Sequence, residues 1–143
     1  MAEDRDHVVA VFNTSQDTTD MLREVFEHHG FVVVTAFTNE LRDGETDLES
    51  LIRQHRPSVI VYDIALPYEA NWRLFQHIRA APICEGVPFV LTTTNVAQVQ
   101  KVAGADEPMI EILGKPYDLG LLVETVTQAA QRRAVTHETP TSP

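Results

Sequence analysis

The sequence predicts an α/β domain built on a doubly wound, five-stranded parallel sheet with helices on both faces. Five short runs, "VVAVF" (8–12), "FVVVTAF" (31–37), "VIVY" (59–62), "FVLTT" (89–93) and "MIEIL" (109–113), are continuously apolar, as strands covered on both faces must be. Segments of helical period separate them, so strand and helix alternate five times, a pattern that right-handed crossovers close into an open sheet. At 143 residues, 43% hydrophobic and 22% charged, the chain is long enough for one such core and too short to make two domains the expectation.

The helices follow in order. "DTTDMLREVFEHHG" carries a stripe of Met21, Leu22, Val25 and Phe26 and ends at Gly30, which suits a C-terminal cap. "TNELRDGETD" (38–47) reads as irregular. In "TDLESLIRQH", Thr46 and Glu49 have capping-box spacing, and Leu48, Leu51 and Ile52 form the stripe. "EANWRLFQHIRAA" offers Trp72, Phe75 and Ile78 to the core and stops before Pro82. "NVAQVQKVAG" is short and weakly amphipathic, and "GADEPM" adds extra loop before the fifth strand. "DLGLLVETVTQAAQRR" opens at Asp118 as N-cap and buries Leu119, Leu122, Val123, Val126 and Ala130. The expected domain spans 7–133, between an N-terminal tail (1–6) and a disordered C-terminal tail (134–143) ending in "THETPTSP".

A formal net charge of -10 argues against duplex DNA or an anionic membrane as a direct ligand. The nearest basic group, Arg132 and Arg133, ends a helix, where cations favour the dipole. The single cysteine, Cys84, excludes an intramolecular disulfide and reads as a small filler residue in a reducing, cytoplasmic setting. "MAEDRDHVVAVFN" is unlike a signal peptide, and no apolar run approaches the roughly eighteen residues of a membrane span. His28 and His29 fall in a last helical turn, and no set of histidines and acids has metal-ligand spacing.

In open α/β sheets the working site lies at the carboxyl ends of the strands. Those ends offer Asn13 and Thr14, then Thr38 and Asn39, then Asp63, then Thr93 and Thr94, then Lys115 and Pro116. A carboxylate, a hydroxyl and an ammonium after the third, fourth and fifth strands would converge, with Asp63 and Lys115 as an ion pair and Thr93 beside them.

Three stretches, "VIVYDIALP", "VPFVLTTTN" and "GKPYD", carry a family resemblance. Over residues 7–133 the chain resembles the receiver domain of two-component response regulators. The resemblance implies a flavodoxin/receiver-like strand order of 2-1-3-4-5. It places the phosphoacceptor on Asp63, the switch hydroxyl on Thr93 with Pro88 before it, and the lysine on Lys115, followed by Pro116 across a peptide bond usually cis in the family. The separations, 30 residues from 63 to 93 and 22 from 93 to 115, match the family's. The departures are equally specific. Asn13 and Thr14 stand where the resemblance implies a metal-binding acid pair, Ile112 replaces the aromatic switch, and Thr94 replaces a small residue.

Phosphoryl transfer to a carboxylate depends on positioning and on charge neutralisation, and Mg2+ prefers hard oxygen ligands that include one or two carboxylates. Asp63, the Ala65 carbonyl and, one turn into the first helix, Asp17 are the ligands left. No cofactor is therefore expected, and Mg2+ binding is expected to be weakened. Two readings of Asp63 stay open: a polar network with Lys115, Thr93 and Asn13 that satisfies itself, or a phosphoacceptor. Thr93 has its own alternative, a strand-end hydroxyl bonding local backbone, and Asn13 that of a turn residue.

The first functional expectation is an atypical pseudo-receiver that signals through protein contacts, with phosphorylation at Asp63 absent or inefficient. It would not be an enzyme beyond self-phosphorylation and dephosphorylation at Asp63. Its partners would be proteins, a histidine kinase or a downstream regulator, with a homodimer also open and neither nucleic acid nor membrane involved. The alternative is a phosphorelay receiver phosphorylated on Asp63 by a histidine kinase. A third, a flavodoxin-like ligand-binding domain, lacks sequence support because "NTSQD" after the first strand has no glycine to cradle a phosphate.

Overall fold

The computed structural model describes residues 7–103, 110–114 and 118–138. The order is β1 (Val8–Asn13), α1 (Gln16–His28), β2 (Val32–Phe37), α2 (Thr38–Asp43), α3 (Leu48–His55), β3 (Val59–Ile64), α4 (Tyr68–Ala80), β4 (Phe89–Thr93), α5 (Val96–Ala103), β5 (Ile110–Gly114) and α6 (Leu119–Glu138). The strands form one parallel sheet in the order β2-β1-β3-β4-β5. The expected strand order is therefore found. Residues 1–6, 104–109, 115–117 (which include Lys115 and Pro116) and 139–143 lie outside the described residues.

Because side chains alternate across a strand, each run of apolar residues feeds two cores. Ala10, Phe12, Ile60, Tyr62, Ile64, Phe89 and Leu91 face one way, onto Ile52, Trp72, Phe75, Ile78 and Val99. Val9, Val11, Val59, Val61 and Val90 face the other way, onto Leu22 and Phe26 of α1 and Leu122 and Val126 of α6. The first core is aromatic at its centre. The Phe75 ring lies 4.9 Å from Trp72, 5.3 Å from Tyr62 and 5.1 Å from Phe89, centroid to centroid.

Local chemistry sets the helix ends. Ser15 caps α1 by accepting from the Thr18 amide at 3.2 Å, and Gly30, at φ 91°, follows its C-terminus as expected. Asp118 caps α6, accepting from the Gly120 and Leu121 amides at 2.8 and 3.3 Å. On the other side of α1, Arg23 reaches over to β2, donating to the Val33 carbonyl at 3.3 Å and the Thr35 hydroxyl at 3.2 Å.

Four expectations are corrected. Residues 38–47 are not an irregular loop: 38–43 form α2, stopped by Gly44, whose φ of 80° gives the left-handed conformation that ends a helix without a Cβ penalty. The N-cap of α3 is Asp47 and not Thr46. Asp47 accepts from the Glu49 amide and the Ser50 hydroxyl, while the Thr46 hydroxyl donates to Glu40. Met21 and Leu119 are exposed: Met21 sits one position ahead of the stripe that α1 buries, and Leu119, although in line with Leu122 and Val126, is the first residue of α6. Finally, α6 runs through Glu138, past residue 133, because "QAAQRRAV" is rich in helix formers.

Two outcomes follow from the packing. Phe75→Ala should lower stability by about 3–5 kcal/mol in a urea melt, since the cavity opens among three aromatic rings. Burial pushes the Cys84 thiol up to about 11 from an ordinary 9.0. At pH 8 its thiolate fraction is then about a hundredfold below that of an ordinary thiol, so it should label with maleimide only slowly until denaturant is added.

Candidate functional site

Asp63 is the central acid of the strand ends. It lies inside β3, not beyond it, because Ile64 is fully buried and keeps its pairing with Thr93. Asp63 pairs in register with Thr92, and residues in register on parallel strands share a face. The two side chains therefore meet: the Thr92 hydroxyl donates to Asp63 Oδ1 at 2.7 Å, with Asp63 5% and Thr92 1% exposed. Alternation from Val59 and Val61, and from Val90, puts this pair on the α1 and α6 side of the sheet.

Thr93 follows the opposite parity. It continues the Phe89 and Leu91 face, is fully buried, and its hydroxyl accepts from the Asn95 amide at 3.2 Å ahead of α5. This is the local backbone bond that the sequence allowed as its alternative. Thr94 is exposed, and its hydroxyl lies 2.9 Å from that of Tyr68 on the first turn of α4, linking the β3–α4 and β4–α5 connections. The Leu66–Pro67 peptide bond in the first of these connections is cis.

At the end of β1, Asn13 is 2% exposed and its Oδ1 accepts from the Ser15 amide at 2.9 Å, the bond of a turn residue leading into the N-cap of α1. Thr14 is exposed, as is Asp17 in the first turn of α1. The Ala65 carbonyl accepts from the Asn71 side-chain amide at 2.6 Å. Lys115 and Pro116, with the expected ion pair to Asp63, lie outside the described residues. Ile112 falls in β5, and its side chain lies outside them too.

These donors are a poor fit to Mg2+. One carboxylate oxygen already accepts from Thr92, the nearby carbonyl from Asn71 and the Asn13 amide oxygen from backbone. A hard dication that prefers several anionic or water oxygens in octahedral array finds, among the described residues of these strand ends, the one acid Asp63.

Thr92 is the residue that spacing alone overlooked. Its signal is parity: if Asp63 continues the Val59 and Val61 face, its partner must continue the Val90 face, and position 92 does. Tyr62 points to the opposite core, where its hydroxyl has no hydrogen-bond partner among the described residues. Burial raises its pKa above the usual range against the opposing charge of Arg42, with the Asp63 charge adding to the rise. A separate open pocket of about 420 Å³, lined by Gln76, Arg79, Cys84, Glu85 and Val87, lies at the amino end of β4, away from the strand ends. No helix among the described residues is long and apolar enough to cross a membrane.

Comparison with known proteins places this architecture. The chain is 26% identical over 120 residues to an uncharacterized 14.6 kDa protein in the sodA1 3' region of Leptolyngbya boryana, an alignment covering 84% of this chain and 87% of that one. It is also 26% identical over 105 residues to Protein PilH of Pseudomonas aeruginosa, covering 73% of this chain and 82% of that protein. Its fold matches that of the Vibrio cholerae chemotaxis protein CheY4 with a TM-score of 0.66 at 20% identity, over 87% of this chain and 99% of that one. A sensor protein from Polaromonas sp. JS666 gives 0.70 at 15% identity, over 90% and 99%. The profile of the response regulator receiver domain matches residues 9–127, and with five parallel strands in the order 2-1-3-4-5 and an aspartate at the end of the third, the chain belongs to the receiver domain family of two-component signalling.

Proposed function

We propose that this receiver domain is of an atypical kind that signals through protein contacts, with phosphorylation of Asp63 absent or inefficient. The observation that carries the reading is the polar chemistry at the end of β1. Asn13 and Thr14 stand where the resemblance implies two acids, and the Asn13 side chain is engaged by backbone. Without those acids, little anionic charge is available to hold the cation that neutralises an incoming phosphoryl group. The hydroxyl of Thr94 and its bond to Tyr68 add bulk where a small residue would leave access.

The contact surface we propose is α5, β5 and α6, which would also serve a homodimer. Leu121, 49% exposed on the first turn of α6, supports it as an apolar anchor. The upstream or downstream partner would be a protein, a histidine kinase or an effector. The second reading, a phosphorelay receiver, is favoured by Asp63 itself, an acid kept at the end of β3.

Intact mass after incubation with acetyl phosphate and Mg2+ tests the choice. We expect a small fraction carrying one phosphoryl group, or none; stoichiometric addition that vanishes in Asp63→Ala would establish the phosphorelay reading instead. Restoring the acids addresses the cause. The double substitution Asn13→Asp, Thr14→Asp should tighten Mg2+ binding by at least about tenfold in a calorimetric titration, through added anionic ligands. It should also raise phosphoryl incorporation, and an unchanged Mg2+ affinity would show that the acid pair is not what limits the site.

A further inference from the structure

Thr92 donates its hydroxyl to Asp63 Oδ1 inside the sheet, and both residues are buried. A hydrogen bond to an ionised carboxylate is roughly twice as strong as one to a neutral acceptor. Phosphorylation changes which of these the bond is. In transfer from a small acyl phosphate, Asp63 Oδ2 forms a bond to phosphorus while the donor's bridging P–O bond breaks, its electron pair leaving on acetate. Thr92 keeps its proton throughout. Oδ1 is then the carbonyl oxygen of a mixed anhydride, a weaker acceptor than the carboxylate it was. Hydrolysis runs the other way: water adds to phosphorus, the P–Oδ2 bond breaks, orthophosphate departs and the anion returns to the hydroxyl's hold.

We propose that Thr92 is a positioning residue that restrains Asp63 from accepting phosphate, by binding the carboxylate more tightly than the phosphorylated form. The inference rests on the reading of Asp63 as a poor acceptor and supplies a cause for it separate from the missing acids. Thr93 is not the source of this hold. Its hydroxyl is on the other face, bonded to the Asn95 amide.

The test measures phosphoryl occupancy by intact mass, at fixed acetyl phosphate and Mg2+, for the wild-type chain, Thr92→Val, Thr92→Ser and Asp63→Ala. Thr92→Val should show roughly five- to tenfold higher occupancy than wild type and slower decay once the donor is removed, reflecting the difference between a charged and a neutral hydrogen bond. Thr92→Ser, which keeps the hydroxyl, should behave as wild type, and Asp63→Ala should show none. A role confined to packing predicts the reverse ranking, since valine preserves the shape of threonine and serine does not. Should Thr92→Val melt below the assay temperature, Thr92→Ala carries the same comparison. Equal occupancy in wild type and Thr92→Val short of saturation, including none in both, overturns the proposal. Stoichiometric occupancy in wild type would overturn only the reading of Asp63 as a poor acceptor. Decay then decides for Thr92: a longer-lived phosphoryl group in Thr92→Val supports the restraint, and an equal lifetime ends it.

Discussion

The register of β3 against β4 is the constraint on which the site depends. A carboxylate buried in a sheet covered on both faces must find donors, because an ionised group removed from water without them costs more than the domain's net stability allows. Pairing Asp63 with Thr92 supplies one donor from the adjacent strand, at 2.7 Å, with no loop required to reach in. A shift of one residue would put Thr93 beside Asp63 but would also turn Phe89 and Leu91 out of the aromatic core, so packing and polar satisfaction select the same pairing.

The same economy extends across the other strand ends. Asn13 turns its amide oxygen onto the Ser15 amide, Thr93 accepts from the Asn95 amide, and the Ala65 carbonyl takes the amide of Asn71. Each bond fixes the exit of a strand into the helix that follows. Groups that could have faced a ligand are used to start α1, α4 and α5 in the right direction. With these bonds made, the Asn13, Thr93 and Ala65 oxygens each have a partner within the chain.

Much of the fold could be read from the chain because its strands are buried on both faces. Such strands show as unbroken apolar runs, and all five runs overlap the strands observed. The stripe of Trp72, Phe75 and Ile78 was equally plain, since helical spacing alone assigns it to the core. What could not be read was the helix α2, whose six residues include only one large apolar side chain, Leu41, too little periodicity to stand out from a loop. That Asp63 belongs to the carboxyl end of the third strand could be read as well, although it sits inside the strand and not after it. Its partner could not, because spacing along one strand says nothing about which face of the next strand a residue occupies until the register is known.

Arg23 has a consequence for the outer boundary of the sheet. β2 is an edge strand, and its Val32 side chain is 46% exposed. An edge of this kind is a template onto which a foreign strand can add, and proteins commonly guard it with charge. The Arg23 guanidinium, held on the Val33 carbonyl and the Thr35 hydroxyl and paired with Glu27, keeps a fixed, hydrated charge at that margin. In a sheet whose strands are nearly all apolar, a charge held there is of the kind that weighs against addition of a further strand at this edge.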